Sequence, residues 1–150
     1  MASKDPIPVK APASKSMSHR ALIAAALAPG RSALANILDS RDTLCTMSCL
    51  AESGATFSGD SDEMRVYGMA QGPLGGEDAP VYLNVEESGT TCRLITAVAA
   101  SGMGSFRIFG KGRMHERPVT ELAATLEGLG VAFQWEGQEG YPPFVMETEG

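Results

Sequence analysis

Residues 50–55 read Leu-Ala-Glu-Ser-Gly-Ala, and residues 126–131 read Leu-Glu-Gly-Leu-Gly-Val. In both stretches a helical pattern stops at a glycine, Gly54 or Gly130, and an apolar residue comes next. Glycine is the common stop for a helix because it tolerates the left-handed conformation found just past the last turn. Two helices that end alike, seventy-six residues apart, point to a duplicated unit. Ser16 and Ser88, seventy-two residues apart, each open a helix as well. Duplication restricts the fold of the whole chain, so the remaining elements are read with it in mind.

Period and punctuation place those elements. Residues 7–12 are expected to be extended. The run Ser16-Met17-Ser18 offers N-cap candidates for an Ala-rich helix over 18–28, which Pro29-Gly30 stops. Residues 32–38 read as a strand, Asp39-Ser40 can cap a helix over 41–53, and strands near 55–59 and 64–69 flank a Gly-Asp-Ser-Asp turn. A loop rich in Gly and Pro, 70–80, separates this half from the next. There, 81–85 reads as a strand and Ser88-Gly89-Thr90 opens a helix to about 101. Residues 106–110 form a strand, Pro118 suits the first position of a helix to about 129, and strands near 131–136 and 143–148 close the unit. Each half runs strand, helix, strand, helix, strand, strand. The fold class is therefore α/β, built from repeated β-α-β-α-β-β units. The first helix of each unit, around Ala21–Ala28 and Leu94–Ala100, is apolar nearly all round and is expected to be buried, with sheet and the more polar second helices outside it.

The chain is 150 residues long, 43% hydrophobic and 20% charged, which excludes disorder and collagen-like repetition. Its net charge of −6 argues against general binding to nucleic acid or anionic membranes. The sum conceals an asymmetry: every Lys and Arg lies within residues 1–117, and residues 118–150 carry six Glu and no basic side chain. The N-terminal residues lack the apolar stretch of a signal peptide, and Ala21–Ala28 is too short to span a bilayer, so a cytosolic protein is expected. Three cysteines without paired metal spacing read as small core residues rather than a disulfide or metal framework. Two histidines far apart likewise argue against a metal site.

Positive charge gathers at three places where the chain leads into a helix. The first is Ala13-Ser-Lys15-Ser16-Met-Ser-His19-Arg20: a helix N-terminus presents unpaired N–H groups and partial positive charge, and Lys15 and Arg20 add full charges, a pattern suited to phosphate or carboxylate. A plain serine cap with solvated cations is the alternative. The second is Glu87-Ser88-Gly89-Thr90-Thr91-Cys92-Arg93, where glycine lets a ligand approach the backbone, the threonines offer hydroxyls, and Arg93 lies one turn beyond Gly89. Pairing of Arg93 with Glu86 or Glu87 is the competing reading. The third, Lys111-Gly-Arg113-Met-His115-Glu-Arg117-Pro118, carries two guanidinium forks in a turn that could equally be a solvated basic loop. Neither the Walker spacing nor a Gly-x-Ser-x-Gly elbow occurs, which disfavours a nucleotide-phosphate or hydrolase reading.

Taken together, Ser14-Lys15-Ser16-Met17-Ser18-His19-Arg20-Ala21, Leu38-Asp-Ser-Arg-Asp-Thr43, Ser88-Gly89-Thr90-Thr91-Cys92-Arg93 and Gly112-Arg113-Met114-His115-Glu116-Arg117-Pro118 resemble the EPSP synthase family in order and spacing, over essentially the whole chain. The resemblance implies an enolpyruvyl transferase-like, inside-out α/β barrel that forms part of a two-domain fold. Residues 1–20 would lead from the other domain into the cleft, with units at 21–75 and 76–150. It implies transfer of the enolpyruvyl group of phosphoenolpyruvate to the 5-hydroxyl of shikimate 3-phosphate, without metal or organic cofactor. Lys15 would touch both substrates, Ser16 and Arg20 would hold shikimate 3-phosphate, and Gly89 and Arg113 would bind phosphoenolpyruvate. One position departs: Glu87 stands where the family usually has Asn, so its carboxylate should turn away or pair with Arg93. The related UDP-N-acetylglucosamine enolpyruvyl transferases typically carry Lys-Asn in place of Lys15-Ser16 and are the lesser match. Family members are much longer than this chain, so a C-terminal portion of the same enzyme, with its further cations and acidic groups, is the expected partner. A non-catalytic anion-binding half that needs a complementing chain is the alternative from another class.

Overall fold

Ser14 is extended, and its hydroxyl accepts the Met17 amide at 3.4 Å, which starts helix α1 (Lys15–Leu27). The cap is thus Ser14 rather than Ser16 or Ser18. In the computed structural model, which describes residue 9 and residues 11–150, Ser18 instead points inward. Its hydroxyl donates to the Ser14 carbonyl at 2.8 Å and accepts the Leu38 amide at 2.9 Å, tying α1 to the segment before the next helix. Of the extended stretch expected at 7–12, residues 7, 8 and 10 lie outside the described residues; residues 9, 11 and 12 have no regular secondary structure.

Strand β1 (Arg31–Leu34) is shorter than the 32–38 expected, because Asn36 turns the chain at φ 56° and the Ile37 amide donates to the Ser61 carbonyl at 2.8 Å. Helix α2 (Arg41–Glu52) opens on Ser40, whose hydroxyl accepts the Thr43 amide while the Ser40 amide donates back to the Thr43 hydroxyl. This reciprocal pair satisfies two donors that a helix start otherwise leaves open. Strands β2 (Thr56–Gly59) and β3 (Met64–Tyr67) come after it, joined by a turn in which the Asp60 carboxylate accepts the amides of Asp62 and Glu63. The second half holds β4 (Val81–Asn84), α3 (Gly89–Ala100), β5 (Met103–Phe109), a 3-10 turn over Gly112–Glu116, α4 (Thr120–Glu127), β6 (Ala132–Trp135) and β7 (Phe144–Glu149). Pro118 does not begin α4. The Arg93 guanidinium donates to its carbonyl at 2.8 Å and the Val119 amide donates to the Gly140 carbonyl at 2.8 Å, holding both residues outside the helix.

The duplication is visible in strand order. The first sheet runs β1-β3-β2 and the second β4-β5-β7-β6, so that β5, β7 and β6 repeat β1, β3 and β2 in order and in antiparallel sense. The second sheet adds β4, parallel to β5. The Gly/Pro loop at 70–80 joins the halves rather than merely separating them: Gly75 and Gly76 donate to the carbonyls of Met103 and Ser105 at 2.8 and 3.0 Å, pairing with the start of β5 where β4 does not reach. Gly75 crosses Gly104 so closely that a Cβ there would lie 2.7 Å from the Gly104 carbonyl carbon.

Helix α2 packs against both α1 and α3 and against β4. One apolar core therefore runs through both units, with Leu22, Leu50, Leu83, Ile95, Phe106 and Phe144 fully buried. The three cysteines are free and buried, and Cys45 and Cys49, on one face of α2, both direct their thiols at the Asn84 carbonyl. Burial pushes the Cys92 thiol up to about 11, so it is protonated at neutral pH. Helices α1 and α3 each bury one face in this chain; Arg20, Ala24 and Leu27 on the first and Thr90, Arg93 and Ala97 on the second lie exposed.

Gly68 offers a test of this packing. A Cβ there would collide with backbone carbonyls at the end of α1, that of Ala25 at 2.7 Å and that of Ala28 nearer still. At Gly30, with φ +88°, a Cβ meets nothing within 4 Å, so only backbone strain is added. Urea unfolding should place Gly68→Ala about 3 kcal/mol below wild type and Gly30→Ala about 1 kcal/mol below it. Equal losses would show that α1 does not press on Gly68.

Candidate functional site

The N-termini of α1 and α3 lie side by side and enclose a cavity of about 300 Å³ lined by Ser16, His19, Arg20, Gly89, Thr90, Arg93 and Leu94. Residues 16, 19 and 20 share one face of α1 by helical spacing; 89, 90, 93 and 94 do so on α3. The intrahelical bonds start with the Ser18 amide to the Ser14 carbonyl and the Cys92 amide to the Ser88 carbonyl. The amides of Ser16, Gly89 and Thr90 therefore precede the first turn's bonds and leave donors and partial positive charge at the cavity. Two guanidinium groups, Arg20 and Arg93, stand in the lining, and among the described residues no carboxylate does. Such a lining suits a ligand carrying phosphate or carboxylate.

Arg93 settles the question raised by its acidic neighbours. It donates to the Gly89 carbonyl at 3.1 Å and to the Pro118 carbonyl at 2.8 Å, and so fixes the start of α3 to the segment before α4 instead of pairing with Glu86 or Glu87. Glu86 pairs with Lys111, which holds its carboxyl below the usual carboxylate range. The Glu87 carboxylate lies over Gly112, close to where a Cβ of that residue would stand, while its carbonyl accepts Arg117 at 3.3 Å. It does not line the cavity. The Arg117 guanidinium lies above Gly89, 2.8 Å from the place a Cβ would take, so glycine there admits a third cation to the rim.

Of the residues the sequence singled out, Ser16, Arg20 and Gly89 meet at the cavity. Lys15, half exposed, is the first residue of α1 and pairs with Asp42 at the start of α2. Arg113 is on the 3-10 turn, outside the lining and 82% exposed, with Glu116 at 3.5 Å. Among the described residues no group of three His, Cys, Asp or Glu could hold a metal ion.

The residue that sequence reasoning passed over is His19. It is fully buried, and its Nδ1 lies 2.8 Å from the Thr46 hydroxyl, which in turn lies 2.9 Å from the Thr91 hydroxyl. The available signal was positional: His19 falls three residues past Ser16, on the face that Arg20 shares. Burial, and secondarily the Lys15 charge, push its pKa below the ordinary 6.5, with Asp42 opposing. The folded protein thus refuses a proton that the unfolded chain accepts below 6.5, and stability contributed by neutral His19 is present above that pH and lost as pH falls through the folded value. Unfolding by urea at pH 7.5 and at 5.5 should show a larger loss on acidification for wild type than for His19→Gln; identical losses would mean the imidazole is not held neutral by burial.

The comparisons with known proteins come to the same place. The family model for EPSP synthase (3-phosphoshikimate 1-carboxyvinyltransferase) matches residues 7–150. The 3-phosphoshikimate 1-carboxyvinyltransferase of Paraburkholderia phymatum is 40% identical over 135 residues, which are 90% of this chain and 30% of that protein. That of Burkholderia cenocepacia is 38% identical over 139 residues, 93% of this chain and 31% of that protein. Two solved structures of EPSP synthase from Acinetobacter baumannii superpose with TM-scores of 0.79 and 0.78 at 25% and 27% identity, with 91% and 93% of this chain and 31% of each of those chains covered. The chain spans a little under a third of the length of the curated relatives it matches. By sequence over nearly all its length, and by the mixed α/β fold that carries the cavity, the chain belongs to the EPSP synthase family.

Proposed function

We propose that this chain supplies part of the active site of a 3-phosphoshikimate 1-carboxyvinyltransferase of the shikimate pathway, which leads to the aromatic amino acids. The observation that carries the reading is the cavity at two helix N-termini lined by Arg20 and Arg93, with no Asp or Glu of the described residues in its lining. Both substrates, shikimate 3-phosphate and phosphoenolpyruvate, are multiply anionic, and bringing them together requires fixed positive charge to offset their repulsion. In the reaction, the 5-hydroxyl of shikimate 3-phosphate gives up its proton as its oxygen bonds to C2 of phosphoenolpyruvate and C3 gains a proton. The tetrahedral intermediate then loses phosphate and a proton from C3 to give the enol ether. Atoms balance without a metal or organic cofactor, and none is included in this reading.

Within it, Ser16 and Arg20 hold shikimate 3-phosphate, and the backbone at Gly89 receives phosphoenolpyruvate. Lys15 reaches both substrates by giving up Asp42, a partly exposed pair of modest strength. Arg113 joins from the exposed turn, where its contact with Glu116 at 3.5 Å costs little to break. The repeat of strand order supports two repeated units; in this reading their bounds are 21–75 and 76–150, with 1–20 leading in from a second domain. That domain, in further chain beyond the third of the enzyme present here, completes the cation set and provides proton transfer. Three free, buried cysteines and the absence, among the described residues, of a helix long and apolar enough to cross a membrane favour the reducing cytoplasm.

Phosphate release from the two substrates tests the reading. In the full-length protein, Lys15→Met removes a charge-assisted contact worth about 1.5–3 kcal/mol, so activity should fall roughly 10- to 150-fold; wild-type kinetics would refute the role given to Lys15. The 150-residue chain by itself, given both substrates, should release no phosphate above background, and turnover by it alone would show that no further chain is needed. Gly89→Ala should displace Arg117 and raise KM for phosphoenolpyruvate more than for shikimate 3-phosphate, and an unchanged KM for both would remove Gly89 from the site.

A further inference from the structure

Among the described residues, one buried polar side-chain atom has no hydrogen-bond partner, Nε2 of His19, and it belongs to a residue of the cavity lining. Leaving a buried nitrogen without a partner is costly, so its retention calls for a reason. Counting protons shows which kind of partner it lacks. The Thr91 hydroxyl donates to the Asp42 carbonyl at 3.2 Å, since a carbonyl only accepts. Its single proton is thereby committed, so the 2.9 Å contact between Thr91 and Thr46 is a donation from the Thr46 hydroxyl. With Thr91 bonded to the Asp42 carbonyl in this way, Thr46 has no proton left for His19, and Nδ1 of His19 is assigned as the donor at the 2.8 Å contact. In the neutral imidazole only one nitrogen carries hydrogen, and Nε2 is left as a bare lone pair. Three side chains on three different helices, ending on a main-chain carbonyl, thus set the tautomer.

We propose that His19 is a further substrate-binding residue, whose Nε2 accepts a hydrogen bond from a ring hydroxyl of shikimate 3-phosphate in the cavity between α1 and α3. The inference rests on the function proposed above. Around this atom the lining supplies cations and amides, which donate, and the hydroxyls of Ser16 and Thr90, which donate or accept. A bare Nε2 is the one side-chain group of the lining that can only accept. Thr46 and Thr91 act as positioning residues, because they determine which nitrogen is bare. The charged groups that act on the imidazole are Lys15 on its own helix and Asp42 on α2, whose opposed effects leave burial to keep the ring neutral.

The test uses the full-length protein and calorimetric titration with shikimate 3-phosphate and its 4-deoxy and 5-deoxy analogues. Wild type should bind one analogue about tenfold more weakly than the parent, the cost of leaving one acceptor unsatisfied. In His19→Phe, parent and that analogue should bind within about twofold of each other. If the variant discriminates as wild type does, the role of His19 is overturned while the site stands. If wild type fails to bind shikimate 3-phosphate at all, the proposed function falls with it. A second measurement needs no substitution at His19: in protein labelled with 15N-histidine, the His19 ring should show hydrogen on Nδ1, its Nε2 resonance should move on saturation with shikimate 3-phosphate, and Thr46→Val should shift the tautomer balance. Hydrogen on Nε2 in the free protein, or an Nε2 resonance that saturation leaves in place, would refute the assignment.

Discussion

Two helix N-termini of like partial charge sit beside each other in this fold, and they repel unless something holds them. What holds them is α2, packed between α1 and α3, with a polar thread through its buried face. His19 on α1, Thr46 on α2 and Thr91 on α3 join in sequence and end on the carbonyl of Asp42 at the start of α2. Ser18 adds a second tie, from α1 to Leu38. His19, Thr46, Thr91 and Ser18 are all buried, so each bond forms in surroundings where leaving it unmade would be costly. The cavity exists because this thread keeps the two helix starts at a fixed separation, close enough to share a ligand and too far apart to collapse on each other.

Duplication explains how a short chain reaches that arrangement. Each unit delivers one capped helix start, at Ser14 and at Ser88, and after that helix the same order of strand, helix, strand, strand. The two sheets repeat one order, and the Gly75–Gly76 segment stitches the first unit to the start of β5 in the second. A single core then fixes the units against each other. The cavity falls between the copies, where two similar starts converge, and Arg93 and Arg117 brace the second start against the segment leading to α4 through carbonyls of Gly89, Pro118 and Glu87.

Much of this was legible in the sequence, and the failures have physical causes. Glycine stops, the Ser40 and Ser88 caps and the repeated order of elements depend on local chemistry, and local chemistry is what a sequence displays. Element ends that depend on partners distant in sequence were not legible. Pro118 looked like a helix start until Gly140 took the Val119 amide, and Ser18 looked like a cap until Leu38 took its hydroxyl. The proposal that Lys15–Arg20 and Gly89–Arg93 bind anions came from residue types at two helix starts; the fold adds that Ser16, Arg20, Gly89 and Arg93 line one cavity. His19 escaped because a histidine's role is decided by what each ring nitrogen faces, and Thr46 and Thr91 lie 27 and 72 residues away in the chain. Arg93 offered two acidic neighbours in sequence and chose neither, since the main-chain carbonyls of Gly89 and Pro118 were better placed.

Charge shows the same division between what a count reveals and what geometry decides. A net charge of −6 describes a molecule that should repel anions, yet the cavity lining holds Arg20 and Arg93 and, among the described residues, no carboxylate. Potential near a surface is governed by charges within about 8–10 Å at physiological salt, so the six Glu of residues 118–150 count for little unless they stand near the site. Two nearby acidic groups are committed elsewhere, Asp42 to Lys15 and Glu86 to Lys111, while the Glu87 carboxylate lies over Gly112, outside the lining. Each such pair withholds a cation as well as a carboxylate. In the proposed function an arriving phosphate competes with Asp42 for Lys15, which favours a dianion over a single carboxylate where the amides of α1 and α3 add their donors to the same oxygens. A ligand of that kind would gain the full set of cations only by displacing an internal anion.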